Sequence, residues 1–160
     1  MKQIPLTQGK VALVDDADFE ELNQWKWYAV WDGWHWYAIR CEQNGGRKQT
    51  IYMHRQIMGA ARDQQIDHRN RTGLDNQRGN LRFCTTGQNA MNRKKRAGCS
   101  SRYKGVTWYK LYGKWMAYIK RRGKQTTLGY FDEELDAALA YNEAATEYFG
   151  EFARLNAIEV

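Results

Sequence analysis

Residues 66 to 89 read IDHRNRTGLDNQRGNLRFCTTGQN, a stretch dense in groups able to handle a phosphodiester. Hydrolysis of that bond calls for a hard oxygen-bound cation at the leaving oxygen and a base titrating near neutrality for the attacking water. Asp67 and Asn89 supply oxygen donors, and His68 supplies the imidazole. One carboxylate and one amide suit Mg2+ or Mn2+, which keep their waters and accept a substrate phosphate, better than Zn2+. Singly, each residue has an ordinary use: Asp67 and Asn76 as turn residues, Asn80 as a cap or loop residue, His68 as a surface or hydrogen-bonded core histidine. The combination is what directs attention to chemistry.

The elements that must carry these groups differ along the chain. The first fifty residues alternate apolar and polar side chains in short bursts, VALV at 11 to 14 and WYAVW at 27 to 31, separated by turn signals at Asp32-Gly33 and Asn44-Gly45-Gly46. DADFEELNQ offers Asp caps and a short helical pattern of Phe19, Leu22 and Trp25. Trp25, Trp27, Trp31, Trp34 and Trp36 are expected to form the core of a small sheet, or to turn one or two rings toward nucleic acid or the neighbouring module. A short helix is expected from Thr85 to about Arg96, and the small residues 98 to 101 read as a linker. In KWMAYIK, Trp115, Ala117 and Ile119 share one face and Met116, Tyr118 and Lys120 the other. With KGVTWY at 104 to 109 and KQTTLGYF at 124 to 131 this predicts three antiparallel strands. Phe131, Leu135, Ala138, Leu139, Asn142, Ala145 and Phe149 recur at helical spacing and predict a helix facing that sheet, ended by Gly150.

Charge is distributed more tellingly than its net value of +7 indicates. Residues 1 to 75 carry ten basic and ten acidic side chains, residues 76 to 131 carry fourteen basic and none acidic, and residues 132 to 160 carry eight acidic against Arg154 alone. A solvated face normally mixes signs, so fifty-six residues without a carboxylate suit a polyanion, of which a phosphate backbone is the common one. No basic amphipathic helix accompanies the charge, which argues against a lipid surface. No apolar run is long enough to span a bilayer, and the start MKQIPLTQGK lacks the apolar stretch of a signal peptide, so a cytoplasmic location is expected. Cys41, Cys84 and Cys99 form no close pair and read as plain thiols.

Two resemblances follow from these residues. IDH, the loop RNRTGLDNQRG, NLRFCT and QN are similar in order and spacing to the HNH nucleases of the ββα-metal type, especially phage and intron-borne homing endonucleases. The resemblance implies that Asp67 and Asn89 bind one metal ion, that His68 activates water, and that Asn80 holds His68 or the loop in place. It adds His54 of MHRQIMG, Asn76 and Arg82 as supporting residues. Residues 102 to 156 resemble the plant apetala-two/ethylene-response-factor DNA-binding domain through YKGV, GKWMAYI, LGYF, AALAYNEAA and FGEFARLN. That family's base-reading positions are Thr107, Tyr118 and Thr127 here, so its target sequence does not carry over. The start, IPLTQGKVALVDDADFEELNQWKW, is similar to the leader of phage proteins that carry both modules.

The expectation is an α+β chain: a β-rich segment over 1–50, a ββα-metal HNH module over 51–97, and a three-stranded antiparallel sheet packed on one helix over 101–157. Its expected function is Mg2+- or Mn2+-dependent hydrolysis of double-stranded DNA, nicking it or cutting both strands, in the host cytoplasm if phage-encoded. Neither a membrane nor a small-molecule substrate is expected, and monomer and homodimer stay open. Candidate DNA contacts are Arg93, Lys94, Lys95, Arg96 and Arg102, and on an outward sheet face Lys104, Trp108, Lys110, Lys114, Tyr118, Lys120, Arg122 and Lys124. The alternative is a noncatalytic DNA-binding regulator in which the HNH residues persist as structure. An RNA-binding role fits the charge but not a major-groove sheet.

Overall fold

The computed structural model describes residues 1–93, 95 and 98–158, with Asn44 described by its backbone alone. The chain is α+β with antiparallel sheets, and it divides into two compact units, Met1–Thr86 and Gly87–Val160.

In the first unit β1 (Lys2–Pro5) pairs with β2 (Val11–Val14), followed by α1 (Asp16–Leu22). Asp15, at the N-cap of α1, does not cap it; its carboxylate accepts from the Arg78 backbone N–H at 2.8 Å and from Gln77 Nε2 at 3.3 Å, tying the helix start to a turn sixty residues on. Next come β3 (Tyr28–Trp31), β4 (Trp36–Asn44) and β5 (Arg47–Tyr52), a meander in the order β3-β4-β5, with turns at the two places the sequence marks. α2 (Met53–Ile57) leads to β6 (Gln65–His68) and its antiparallel partner β7 (Leu81–Cys84). One core joins β1, β2, α1, β4, α2, β6 and β7, with Trp27 ahead of β3: Ile4, Ala12, Val14, Leu22, Trp27, Ala38, Met53, Ile57, Ile66 and Leu81.

The tryptophans do not form the core expected of them. Trp27 is 2% exposed and donates from Nε1 to Leu22 O at 2.8 Å, whereas Trp25, Trp31 and Trp34 are 44%, 50% and 65% exposed. Alternation puts Trp27, Ala29 and Trp31 on one face, but the core covers only the Trp27 and Ala29 end of it; Trp31, paired with Trp36, lies at the hairpin end of β3, and Trp25 and Trp34 lie outside the strands. Gly73 marks a close approach, since a Cβ there would meet the Trp36 carbonyl and lie 2.9 Å from the Tyr37 ring. The loop from 69 to 80 therefore runs directly against β4.

α3 (Thr86–Met91) begins at the junction of the units. The second unit then holds β8 (Val106–Tyr109), β9 (Lys114–Arg121) and β10 (Lys124–Phe131), with β9 central, and α4 (Glu134–Phe149) packed on them. The helix buries Ala137, Ala138, Tyr141, Ala144, Ala145 and Phe149. The expected face holds at Ala138, Ala145 and Phe149 and fails at Leu135 and Leu139, which are 37% and 43% exposed. Paired alanines let the helix axis approach the sheet more closely than a leucine stripe would, so packing depth outweighed side-chain hydrophobicity. Asn156 fastens the tail, exchanging hydrogen bonds with the Lys104 backbone at 2.7 and 3.0 Å and with Asn142 at 2.7 and 3.0 Å. The three cysteines are free thiols.

Candidate nucleic-acid interface

Residues directly opposite in an antiparallel pair share a face, so the registers of β8, β9 and β10 sort every side chain of the second sheet. Ala117 lies between Val106 and Gly129, and Trp115 between Trp108 and Phe131; this face packs on α4. The opposite face carries Thr107, Met116 and Tyr130 in one row, Tyr109 with Lys114, Tyr118 with Thr127, and Lys120 with Gln125. Leu128 sits in an irregularity of the β9–β10 register, and the extra residue keeps Leu128 on the helix side while returning Tyr130 to the other.

Lys114, Tyr118 and Lys120 thus stand on the face turned away from α4, with Lys110 and Arg122 in the exposed turns at its two ends. Lys114 shares an exposed ion pair with Asp132 at 3.1 Å, which a phosphate can replace at little loss. Three candidates lie elsewhere. Trp108 is on the helix side, its ring 5.0 Å from that of Trp115. Lys124 shares a row with Arg121, whose guanidinium lies 5.6 Å from the ring of Tyr148 on α4. The Lys104 ammonium donates to Met91 O and, at 3.0 Å, to Arg93 O.

Lys95 is likewise engaged in structure, donating from Nζ to Tyr103 O at 2.5 Å and Val106 O at 2.8 Å, and burial lowers its pKa. Arg102 stacks on Tyr103, 4.8 Å from the ring, and Arg93 is exposed. Lys94 and Arg96 lie outside the described residues. The pattern of single strands missed a cluster of Tyr109, Tyr112 and Tyr130, with centroids 4.8 to 5.2 Å apart, beside the row of Lys114. Pairing the strands through their hairpins, bulge included, is the step that finds it.

The two signs of charge separate in space as they do in sequence. β8 to β10 carry no carboxylate, while α4 carries Glu134, Asp136, Glu143 and Glu147 on the opposite layer. The second unit is therefore polarised, positive on the sheet and negative on the helix.

The residues expected to do chemistry are placed differently. Asp67 and His68 are neighbours on a strand and so project to opposite faces. Asp67 pairs across the ladder with Arg82, whose Nε and Nη2 donate to Oδ2 at 2.9 and 2.6 Å, both side chains being 7% exposed. His68 shares its face with core residues Ile66 and Leu81, its Nε2 lies 3.2 Å from Asn76 Oδ1, and its ring centroid is 5.1 Å from that of His54. Tyr37 flanks both imidazoles at 5.7 and 6.0 Å. Asn76, 1% exposed, also donates to the sulfur of Met53 at 3.5 Å. Asn80 holds the loop: its Nδ2 donates to Asp75 O at 2.7 Å and its Oδ1 accepts from the Asn70 N–H at 2.9 Å. Asn89 falls in the second unit. Among the described residues no group of three or more His, Cys, Asp or Glu side chains could hold a metal ion.

His54 is 8% exposed, its Nδ1 is buried without a hydrogen-bond partner among the described residues, and its pKa is pushed down to about 3 by burial, by His68 and by Arg55. Burial also lowers His68, against the opposing pull of Asn76 and Asp67. Above the ordinary histidine pKa of about 6.5 both folded and unfolded chains hold these rings neutral. Below it the unfolded chain takes up protons that the folded chain refuses, so stability falls with pH from about 6.5 toward 3, by on the order of a few kcal/mol. His54→Phe should flatten that slope in urea titrations at pH 7 and pH 4.5; an unchanged slope would place the acid sensitivity elsewhere.

Stretches of this chain are similar to plant proteins. The AP2-like ethylene-responsive transcription factor TOE2 of Arabidopsis thaliana is 46% identical over 57 residues, 36% of this chain and 12% of that protein. The APETALA2-like protein 2 of Oryza sativa subsp. indica is 46% identical over 57 residues, 13% of its length. The dehydration-responsive element-binding protein 2D of Arabidopsis thaliana is 45% identical over 62 residues, 38% of this chain and 29% of its own. The chain thus spans well under half of these relatives. No family model matches the chain, and no solved structure does.

These findings overturn the expected nuclease. The relatives are named as transcription factors and element-binding proteins, not as enzymes, and the carboxylate assigned to the metal is held by a guanidinium instead. The hydrolase activity, the Mg2+ or Mn2+ ion, the homing role and the phage origin fall with it, and the host-cytoplasm location loses its support. No described helix is long and apolar enough to cross a membrane.

Proposed function

We propose that the chain is a noncatalytic DNA-binding protein with a regulatory role, reading duplex DNA with the face of β8 to β10 that points away from α4. The observation that carries this reading is the separation of charge between the two layers of the second unit, which gives one face a polyanion can approach and one that repels it. The names of the similar plant proteins support it, and a β-sheet is an established way to enter the major groove. Residues 101–157 form the reading module. Lys110, Lys114, Lys120, Arg122 and Arg93 contact phosphates, fixing register without sequence information. Tyr118, Thr107 and Thr127 stand where base edges would be met. Residues 1–50 and 51–86 are scaffold, in which the antiparallel strand pair of 65 to 84 persists as structure, held by Asp67–Arg82, Asn76 and Asn80.

Titrating a fluorescent duplex with the chain at several salt concentrations tests the reading. Lys120→Ala and Arg122→Ala should each weaken binding across all duplex sequences and lower the slope of log K against log salt by about 1. Affinity indifferent to salt, or to both substitutions, would remove the sheet face from consideration.

A further inference from the structure

The first unit has an unfilled strand edge beside a basic cleft. β5 lies at the end of the β3-β4-β5 sheet, and its ladder with β4 runs from Arg47 to Tyr52, leaving its other side without a strand partner among the described residues. Along that side runs a cleft of about 900 Å³, with Gln49 to Tyr52 on one wall and Arg55 and Arg62 on the other. The far wall is rigid: Arg55 donates to Ala61 O at 2.6 Å and Gln64 O at 2.7 Å, and the Ala61 N–H donates to Gln64 Oε1 at 2.8 Å. Of the lining cations, Arg40 pairs with Glu42 at 3.4 Å and Arg55 is held by its two carbonyls, and lining Gln56 donates to Glu21 at 3.0 Å, so the charge the cleft offers an anion is that of Arg62, with Arg47 and Lys48 beginning the strand.

We propose that this cleft takes an extended acidic peptide segment of a partner protein, which pairs with β5 as a fourth strand. An open strand edge offers N–H donors and C=O acceptors in alternation, and an extended peptide satisfies both, whereas a nucleic-acid backbone, rich in acceptors, satisfies only the donors. Alternation along the added strand sends every second side chain to the face of Ile51 and the others to the face of Lys48 and Thr50, and Arg62 on the facing wall is the cation within the cleft for the peptide's carboxylates. A second copy of β5 fits poorly, because it would bring its own Arg47 and Lys48.

The test uses the full chain and a fluorescein-labelled octapeptide of alternating valine and glutamate, read by anisotropy and by hydrogen exchange. Binding should slow exchange of the amides between 49 and 52, weaken about tenfold with Arg62→Glu, and vanish when alternate valines of the peptide are replaced by proline. Arg62 is exposed, so Arg62→Glu leaves the fold intact. Equal binding of a valine–lysine peptide or of the proline peptide would overturn the proposal, as would no binding of the valine–glutamate peptide. Displacement by ten-residue oligothymidylate, with the same dependence on Arg62, would make the cleft a nucleic-acid contact instead. Duplex affinity measured on the same samples should not change with Arg62→Glu, so the two readings fail separately.

Discussion

Replacement of Gly105 by alanine is expected to abolish the folded state of the second unit. Gly105 has φ +74, in the left-handed region, and a Cβ there would overlap the ring of Tyr141 and lie 2.7 Å from Tyr118 O. Neither neighbour can yield. Tyr141 is 3% exposed between the sheet and α4, and burial pushes its phenol pKa up to about 12, while the Tyr118 N–H donates to Gly105 O at 2.7 Å across the same contact. Backbone strain of about 1 to 3 kcal/mol adds to overpacking of about 1 to 3 kcal/mol or more, a sum comparable with the whole stability of a small domain. Loss of exchange protection in β9 and of duplex affinity would be the result. A cooperative thermal transition for these strands within a few degrees of the parent chain would show that the contact is softer than the geometry states.

Arg82→Ala is expected to cost the first unit about 3 to 5 kcal/mol, because a buried carboxylate loses the guanidinium that holds it. The paired replacement Asp67→Leu with Arg82→Met should recover most of that, since neither charge then has to be buried. Urea unfolding of the single and double variants closes the cycle. Additive losses would mean that the two side chains do not depend on each other.

Much of the second unit was legible in its residues. The alternation of KWMAYIK and the stop at Gly150 both specify local geometry, and local geometry is what sequence periodicity reports. On the helix, Ala138, Ala145 and Phe149 are legible as the packed face, but Leu135 and Leu139 look more apolar than Ala137 and Ala144, and only the depth of the helix–sheet contact ranks them. Among the cations, Lys104 and Lys95 look like Lys120 in composition, yet they end on backbone carbonyls. A side chain long enough to reach phosphate is also long enough to reach an unfilled acceptor of its own chain.

The segment that first drew attention separates the two kinds of information most clearly. By itself the sequence determined that Asp67 and His68 are adjacent on a strand, that 76 to 131 hold no acid, and that acid gathers beyond 131. Only the tertiary structure decided where those groups spend their charge. Strand alternation turned Asp67 to Arg82 and His68 toward Asn76 and His54, and the layering of sheet and helix turned a linear division of charge into two opposed faces. Which partner a polar side chain finds depends on residues distant in the chain, and burial makes that partner, more than the residue type, decide what it can do.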